Sequence, residues 1–355
     1  MFVSSEEPAQ INANYIFGRL SSQVVGQDLA QRDLATLLAM HLQWFATQDI
    51  AHTAPNALII GPTGVGKTHA IRTAAQVLDV PLVVVDSTRL APHGAGASLE
   101  SVLVELISAA RRLIRDGTRM HNKSRRGLSE LEELKLARGG IIFLDEFDKL
   151  AARSGRSDER NEQLQRRLLQ FIDGTSVTLN PNPERGEEEV TFDTAGLLFI
   201  VAGAFTDLMS GVGQRSHREM RTMQRYNHVI SEDFVRYGFM HELIARLPVI
   251  IEFSELGPKD LETILSIDNI DPSQFYISYL QSLGTVLKID ARAREWISSS
   301  AARLDIGARG LHQVLFPILA QLSQRVENNR PAEVVLDLAM IKQITYAIEE
   351  KRRAR

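Results

Sequence analysis

The stretch Ala57-Leu58-Ile59-Ile60-Gly61-Pro62-Thr63-Gly64-Val65-Gly66-Lys67-Thr68 decides how this chain folds. A short apolar run, the pattern of a buried strand, ends in a glycine loop of the form G-x-x-x-x-G-K-[ST]. Glycines let backbone N–H groups converge on phosphate oxygens, and the helix expected from Thr68 to Leu78 presents its N-terminus to the same anion. The cradle comprises Pro62, Thr63, Gly64, Val65, Gly66, Lys67 and Thr68, with the Lys67 ammonium on the β- and γ-phosphates and the Thr68 hydroxyl on Mg²⁺. ATP and Mg²⁺ are the ligands this pattern calls for.

Outward from the loop, short β-branched runs alternate with helical periodicity. Asp28 to Phe45 places Leu29, Leu34, Leu37, Leu38, Leu42 and Phe45 at helical spacing. Leu82 to Asp86, Ile141 to Leu144, Leu197 to Val201 and Val249 to Phe253 read as further buried strands, and Leu99 to Ile114 as an amphipathic helix. Strands alternating with helices specify an α/β fold: a mainly parallel sheet sandwiched by helices. Past Ser254 the pattern turns helical: Lys259 to Leu265, Gln274 to Leu283, Ala291 to Arg303, Ala308 to Asn328 and a last helix, interrupted by one strand, Glu333 to Leu336. The expected organisation is a flexible N-terminus (1–14), a large α/β nucleotide-binding domain (15–253) and a smaller C-terminal helical domain (254–355). Two segments look like excursions from this core: the charge-rich Arg115 to Arg138 and the Pro/Glu-rich Asn180 to Glu189.

Ile141 to Leu144 runs directly into Asp145-Glu146. A buried strand ending in two carboxylates puts them at the carboxyl edge of the sheet, where ligands bind in such folds. Asp145 is placed to hold Mg²⁺, directly or through water. Glu146 is placed to orient or deprotonate an attacking water.

Composition excludes several alternatives. The chain has 355 residues, 44% of them hydrophobic, enough for a large core and two domains. A formal net charge of -4 argues against bulk attraction to nucleic acid or membrane. With no cysteine there is no disulfide, thiolate metal site or cysteine nucleophile. The polar Met1 to Gln10 lacks the basic-then-apolar pattern of a secretory signal, and no apolar run is long enough to span a bilayer, so a cytoplasmic protein is expected.

The chain resembles the ClpX/HslU protein-unfoldase family of AAA+ ATPases. The match runs in order through Val24-Val25-Gly26-Gln27, FLDEFDKL (Phe143 to Leu150), LLQFIDGT (Leu168 to Thr175), LFIVAGAFTDL (Leu198 to Leu208), YGFMHELIARLPVI (Tyr237 to Ile250) and GARGL (Gly307 to Leu311). The resemblance implies that Val24 and Val25 line the adenine pocket. It implies that Arg246 is an arginine finger for a neighbouring subunit's γ-phosphate, and that Arg309 is the sensor-2 arginine by which the helical domain feels its own nucleotide. A finger in trans implies a ring, a homohexamer in this family. Ala202-Gly203 carries no polar residue where many AAA+ proteins have one, and small residues there are ClpX-like.

The resemblance breaks in three places. The pore-loop position reads Pro92-His93-Gly94-Ala95-Gly96-Ala97, with no aromatic to push against a polypeptide. Zero cysteines exclude the family's zinc-binding N-terminal domain. The stretch Asp207 to Asp233 has Gly211-Val212-Gly213 and a run of arginines (Arg215, Arg218, Arg221, Arg225) in place of the Ile-Gly-Phe tip that docks on the ClpP peptidase, so ClpP is not an expected partner. Three functions fit at this point: a ring motor that remodels or unfolds a protein substrate or an adaptor-bound one, an ATP-dependent assembly switch or scaffold, and a nucleic-acid-associated ATPase using Arg111, Arg112, Arg115, Arg119, Lys123, Arg125 and Arg126. The last is disfavoured, because these side chains have Glu130, Glu132 and Glu133 to pair with and no interleaved aromatics for base stacking.

Overall fold

A computed structural model describes residues 12–47, 54–90, 98–120, 130–152, 158–181, 188–208, 229–329 and 331–353. The chain divides into two compact units. The first takes in the chain up to Ser21, Leu29–Gly61 and Lys67–Phe253; the second gathers Ser22–Asp28, Pro62–Gly66 and Ser254–Arg355.

The first unit is built on a five-stranded parallel sheet. Its strands are β1 (Ala57–Ile60), β2 (Leu82–Asp86), β3 (Ile141–Asp145), β6 (Leu198–Gly203) and β7 (Val249–Glu252), in the order β2-β3-β6-β1-β7. Every residue of β1 and β6 is buried, as central parallel strands covered on both faces require. The register aligns Asp86 with Asp145, Leu144 with Val201, and Ile60 with both Gly203 and Glu252. The carboxyl ends of β1, β3 and β6 therefore share one edge, and β6 separates β1 from β3. That crossover makes the switch point at which open α/β sheets bind ligands.

Helices cover the sheet where apolar residues recur at helical spacing. In Leu99–Met120 the buried set is Leu99, Val102, Leu103, Leu106, Ile107 and Ala110, and it packs with Val83, Val85 and Leu144 in one core. Asp28–Thr47 buries Leu34, Leu37, Leu38 and His41. Leu29, placed on that face from sequence, is instead 79% exposed. The helix turns its Ala30–Leu34–Leu38 stripe inward and leaves Leu29 on the far side.

Two boundaries need correction, and the two excursions acquire structure around them. The charge-rich excursion begins and ends in helix: Leu99–Met120 runs on past Ile114, and a further helix covers Glu130–Arg138. There the Arg111 Nε meets Glu133 Oε2 at 2.8 Å, a carboxylate pairing of the kind expected for this segment. The strands that flank the Pro/Glu-rich segment, β4 (Ser176–Leu179) and β5 (Val190–Asp193), pair antiparallel. The strand read as Leu197 to Val201 extends to Gly203. The first helix begins at Ala13, inside the stretch assigned to a flexible N-terminus.

The second unit has its own core of Leu261, Leu280, Ile297, Leu311, Leu315 and Leu319, among others, drawn from the helices Pro258–Ile264, Gln274–Ser282, Ala291–Ala302 and Arg309–Asn329. The strand Glu333–Leu336 (β9) does not stand alone. It pairs in parallel with β8 (Val286–Ile289), a strand too short and too mixed in polarity to register as periodic. No described helix is long and apolar enough to cross a membrane.

His41 gives the first unit a pH dependence. Its ring is buried, its Nε2 lies 2.8 Å from the Gly139 carbonyl, and it stacks on Trp44. Burial pushes its pKa down from 6.5 to about 4, against the raising effect of the Gly139 bond. The folded state thus resists a proton that the unfolded chain accepts near pH 6.5. Stability should be full above that pH and fall as pH drops towards 4, by about 3 kcal/mol in all. Urea unfolding at pH 7 and pH 4.5 measures this. The drop should shrink in His41→Gln, and an equal drop in that variant would remove His41 as its cause.

Candidate active site

In the first unit the loop begins where β1 ends. Gly61 has φ 147°, and a Cβ there would sit 2.4 Å from the Phe253 carbonyl oxygen, because Phe253 N–H donates to Ile60 O at 2.8 Å. A side chain at this position would break the β1–β7 junction. Lys67 opens the helix Lys67–Leu78, and its side chain is buried, with Nζ donating to Gly61 O at 2.5 Å. A cation held in a protein interior is costly unless hydrogen-bonded. The loop thus keeps its ammonium folded back on its own first carbonyl.

Thr68 Oγ1 donates to Asp145 Oδ2 at 2.6 Å. Residues 77 apart in sequence are brought into hydrogen-bond contact from the start of one helix and the end of β3. Asp145 Oδ1 in turn accepts the Glu146 N–H at 2.9 Å. Glu146 is exposed and left-handed, with φ 54° and ψ 33°. For a residue with a Cβ that conformation is strained, and such strain gathers at functional positions. Here it turns the chain from β3 into the 3-10 turn Phe147–Leu150, leaving the Glu146 carboxylate in solvent beside Asp145.

Gly203, at the end of the neighbouring β6, has no room for a side chain. A Cβ would lie 2.6 Å from the Phe205 ring and 2.8 Å from Asp148 Oδ1. The small residues at this position follow from packing: Asp148, buried, occupies the space a polar side chain would need.

In the second unit the middle of the loop is locked to the GARG segment. Gly64 (φ 80°) and Gly307 (φ 58°) lie back to back, and Ala308 N–H donates to Gly64 O at 3.0 Å. A Cβ on Gly64 would stand 2.2 Å from Ile306 O. Arg309 follows immediately, exposed at the start of Arg309–Asn329. A Cβ on Gly66 (φ 100°) would meet nothing nearer than Val24 Cγ1 at 4.0 Å, so backbone conformation rather than crowding calls for glycine here. A cavity of about 290 Å³ is lined by Pro62, Thr63, Val65, Leu256, Asp305 and Gly307, among others. That volume is at the small end of ligand pockets, which start near about 300 Å³, and suits a planar base. Val24 is buried beside the loop, and Val25 packs against the helical core.

Sequence reasoning passed over Gln27. Its buried amide clamps Ser254 from both sides, accepting Ser254 N–H at 2.9 Å and donating to Ser254 O at 2.8 Å, with Val65 O a further 3.5 Å contact. Gly26 (φ 72°) is pressed against the Asp260 carboxylate, which caps Gly257 N–H. A buried glutamine has no periodic signature. Its place inside Val24-Val25-Gly26-Gln27 was the one available sign.

A family model described as the AAA domain (Cdc48 subfamily) matches residues 52–250. The chain belongs to the AAA family. It is a ClpX-like AAA+ ATPase. Curated relatives named "ATP-dependent Clp protease ATP-binding subunit ClpX" resemble it along most of its length. The protein of Bacteroides fragilis is 29% identical over 90% of this chain and 79% of its own length. That of Treponema denticola is 30% identical, covering 83% and 72% respectively, and that of Porphyromonas gingivalis 28%, covering 90% and 79%.

Arg246 of this AAA+ protein stands apart from the loop. It ends the short helix His241–Ala245, three residues before β7 begins at Val249, and its Nε meets Asp173 Oδ1 at 2.5 Å. Val249 is paired with Ala57, the first residue of β1, so Arg246 is at the amino edge of the sheet, opposite Lys67 and Asp145. The pore-loop stretch Pro92 to Ala97 and the basic stretch Arg215 to Arg225 lie outside the described residues.

Proposed function

We propose that this AAA+ ATPase is a homohexameric ring motor that uses ATP hydrolysis to remodel or unfold protein partners. One observation carries the reading. Lys67, Thr68, Asp145 and Glu146 converge at the carboxyl edge of the sheet, whereas Arg246 is exposed at the opposite edge of the same unit.

Each residue then has a role. The amides of Thr63 to Thr68 and the Lys67 ammonium hold the phosphates, and Val24, Val25 and the cavity beside Pro62 take the base. The Thr68 hydroxyl and Asp145 carboxylate, two hard oxygen donors 2.6 Å apart, suit a Mg²⁺ ion. When bound, that ion neutralises charge on the β- and γ-phosphate oxygens. Glu146 accepts a proton from the water that attacks the γ-phosphorus, as the bond from that phosphorus to the β-phosphate oxygen breaks. Arg309, tied through Ala308 to Gly64, couples the helical domain to the loop's own nucleotide. About 10 Å of strand separates Val249 from Glu252 at the phosphate edge. An arginine set back beyond Val249 serves a neighbouring subunit's γ-phosphate better than its own, which is why the reading requires a ring.

The glycine- and alanine-rich Pro92 to Ala97 supports a second reading, an ATP-dependent assembly switch that does not thread polypeptide, since gripping calls for a large apolar face. Incubating the protein with ATP and a tagged, folded fluorescent reporter separates the two. The motor reading expects ATP-dependent loss of fluorescence. Unchanged fluorescence, alongside ATP-dependent change in oligomer size, would select the switch.

A further inference from the structure

Resting on the trans-acting reading of Arg246, we infer that Asp173 is the positioning residue for that arginine: its carboxylate holds the guanidinium at the angle from which a neighbouring subunit's phosphate is reached.

The contact is made through Nε, the inner nitrogen, at 2.5 Å. The two terminal amino groups, the fork that grips a phosphate, make no hydrogen bond to any described residue. A carboxylate at Nε would set the plane of the guanidinium and leave its outer edge for a phosphate. Such an arrangement suits a side chain that must act at a distance.

Both backbones are held rigidly. Asp173 follows the helix Asp158–Ile172, and its N–H donates to Leu169 O at 2.9 Å. Gly174 next to it has φ 91°, and a Cβ there would stand 3.0 Å from the Ala195 side chain, so the turn admits glycine best. The buried Thr194 hydroxyl donates to Phe171 O at 2.8 Å and accepts Thr175 N–H at 2.9 Å, bracketing Asp173 on both sides. On the other partner, Arg246 N–H donates to Leu243 O, between the buried Leu243, Ile244 and Leu247. Gln165, buried on the helix that ends at Ile172, donates to Gly238 O at 3.2 Å and accepts Met240 N–H at 2.8 Å. It thereby ties the Asp173 helix to the entry of the Arg246 helix.

Stability does not account for this scaffolding. The pair is well exposed, 57% and 39%, and exposed ion pairs contribute almost nothing to folding. A carboxylate so firmly mounted beside an exposed arginine is explained by the orientation it imposes.

The test is steady-state ATPase kinetics of the full chain at a concentration where it assembles. Asp173→Asn keeps shape and removes charge. It should lower kcat by about tenfold while KM for ATP stays within about twofold, the signature of a misaimed group away from the substrate-binding loop. Asp173→Glu, which keeps the charge, should recover much of the loss. Mixing Asp173→Asn with Lys67→Ala subunits, which lack turnover but carry an intact Asp173–Arg246 pair, should raise activity per Asp173→Asn subunit. Wild-type kcat in Asp173→Asn together with a large loss in Arg246→Ala would overturn the positioning role and leave the finger standing. Wild-type kcat in Arg246→Ala would remove the finger itself. No gain on mixing would place the effect of Asp173 inside its own subunit and refute the inference.

Discussion

Lys67→Ala should reduce ATP turnover by about a hundredfold or more, about 3 kcal/mol of transition-state stabilisation, the scale on which a single preorganised donor acts in a water-poor site. The buried Nζ sits 2.5 Å from Gly61 O, so the ammonium is stored inside the loop it serves. Alanine removes the charge and also leaves a void at the start of Lys67–Leu78, where Ala70, Ile71 and Ala74 are already packed. Lys67→Met, which fills that space without charge, separates the two effects. Both variants should lose turnover, and Met should melt within a few degrees of the wild type. Wild-type turnover in Lys67→Met would mean that the phosphates are held elsewhere.

Glu146→Gln should have an effect of similar size on hydrolysis and almost none on binding. Removing a general base costs about 10²–10⁴-fold in rate. The side chain is exposed, and the backbone N–H that Asp145 Oδ1 accepts is untouched by the change, so the strained turn survives. Affinity for ATP, measured with a fluorescent analogue, should stay near that of the wild type while phosphate release falls to background. A parallel fall in affinity would show that Glu146 holds nucleotide rather than acting on water. Because the variant remains loaded, it is also the form with which to capture partners.

Much of the large domain was legible because its signals are local. β1 and β3 are apolar runs of four or five residues, and the groups that follow them, Gly61 to Thr68 and Asp145-Glu146, are contiguous in the chain. What escaped depends on partners distant in sequence. β8 is a strand because β9, over 40 residues later, offers it a ladder. β4 and β5 are too polar to read as strands until they face each other. Leu29 reads as core by spacing, yet which face the helix buries is set by packing partners distant in sequence, such as Gly139 against His41. Gln27 and Asp173 are single polar residues whose partners, Ser254 and Arg246, come more than 70 positions later.

The amino-acid string was enough to propose a chemistry. The proposed phosphate cradle rests on a glycine-lysine-threonine loop after an apolar strand, and the proposed hydrolytic pair on two carboxylates after another, both local patterns of neighbouring residues. Distance and direction needed the fold. The parallel register carries Asp145 to within 2.6 Å of Thr68 and leaves Arg246 at the other edge on Asp173, and the back-to-back packing of Gly64 and Gly307 binds the loop to the GARG turn. These contacts join residues tens to hundreds of positions apart. No local pattern encodes them, since each exists through the closure of the sheet in one unit or of the helical core in the other.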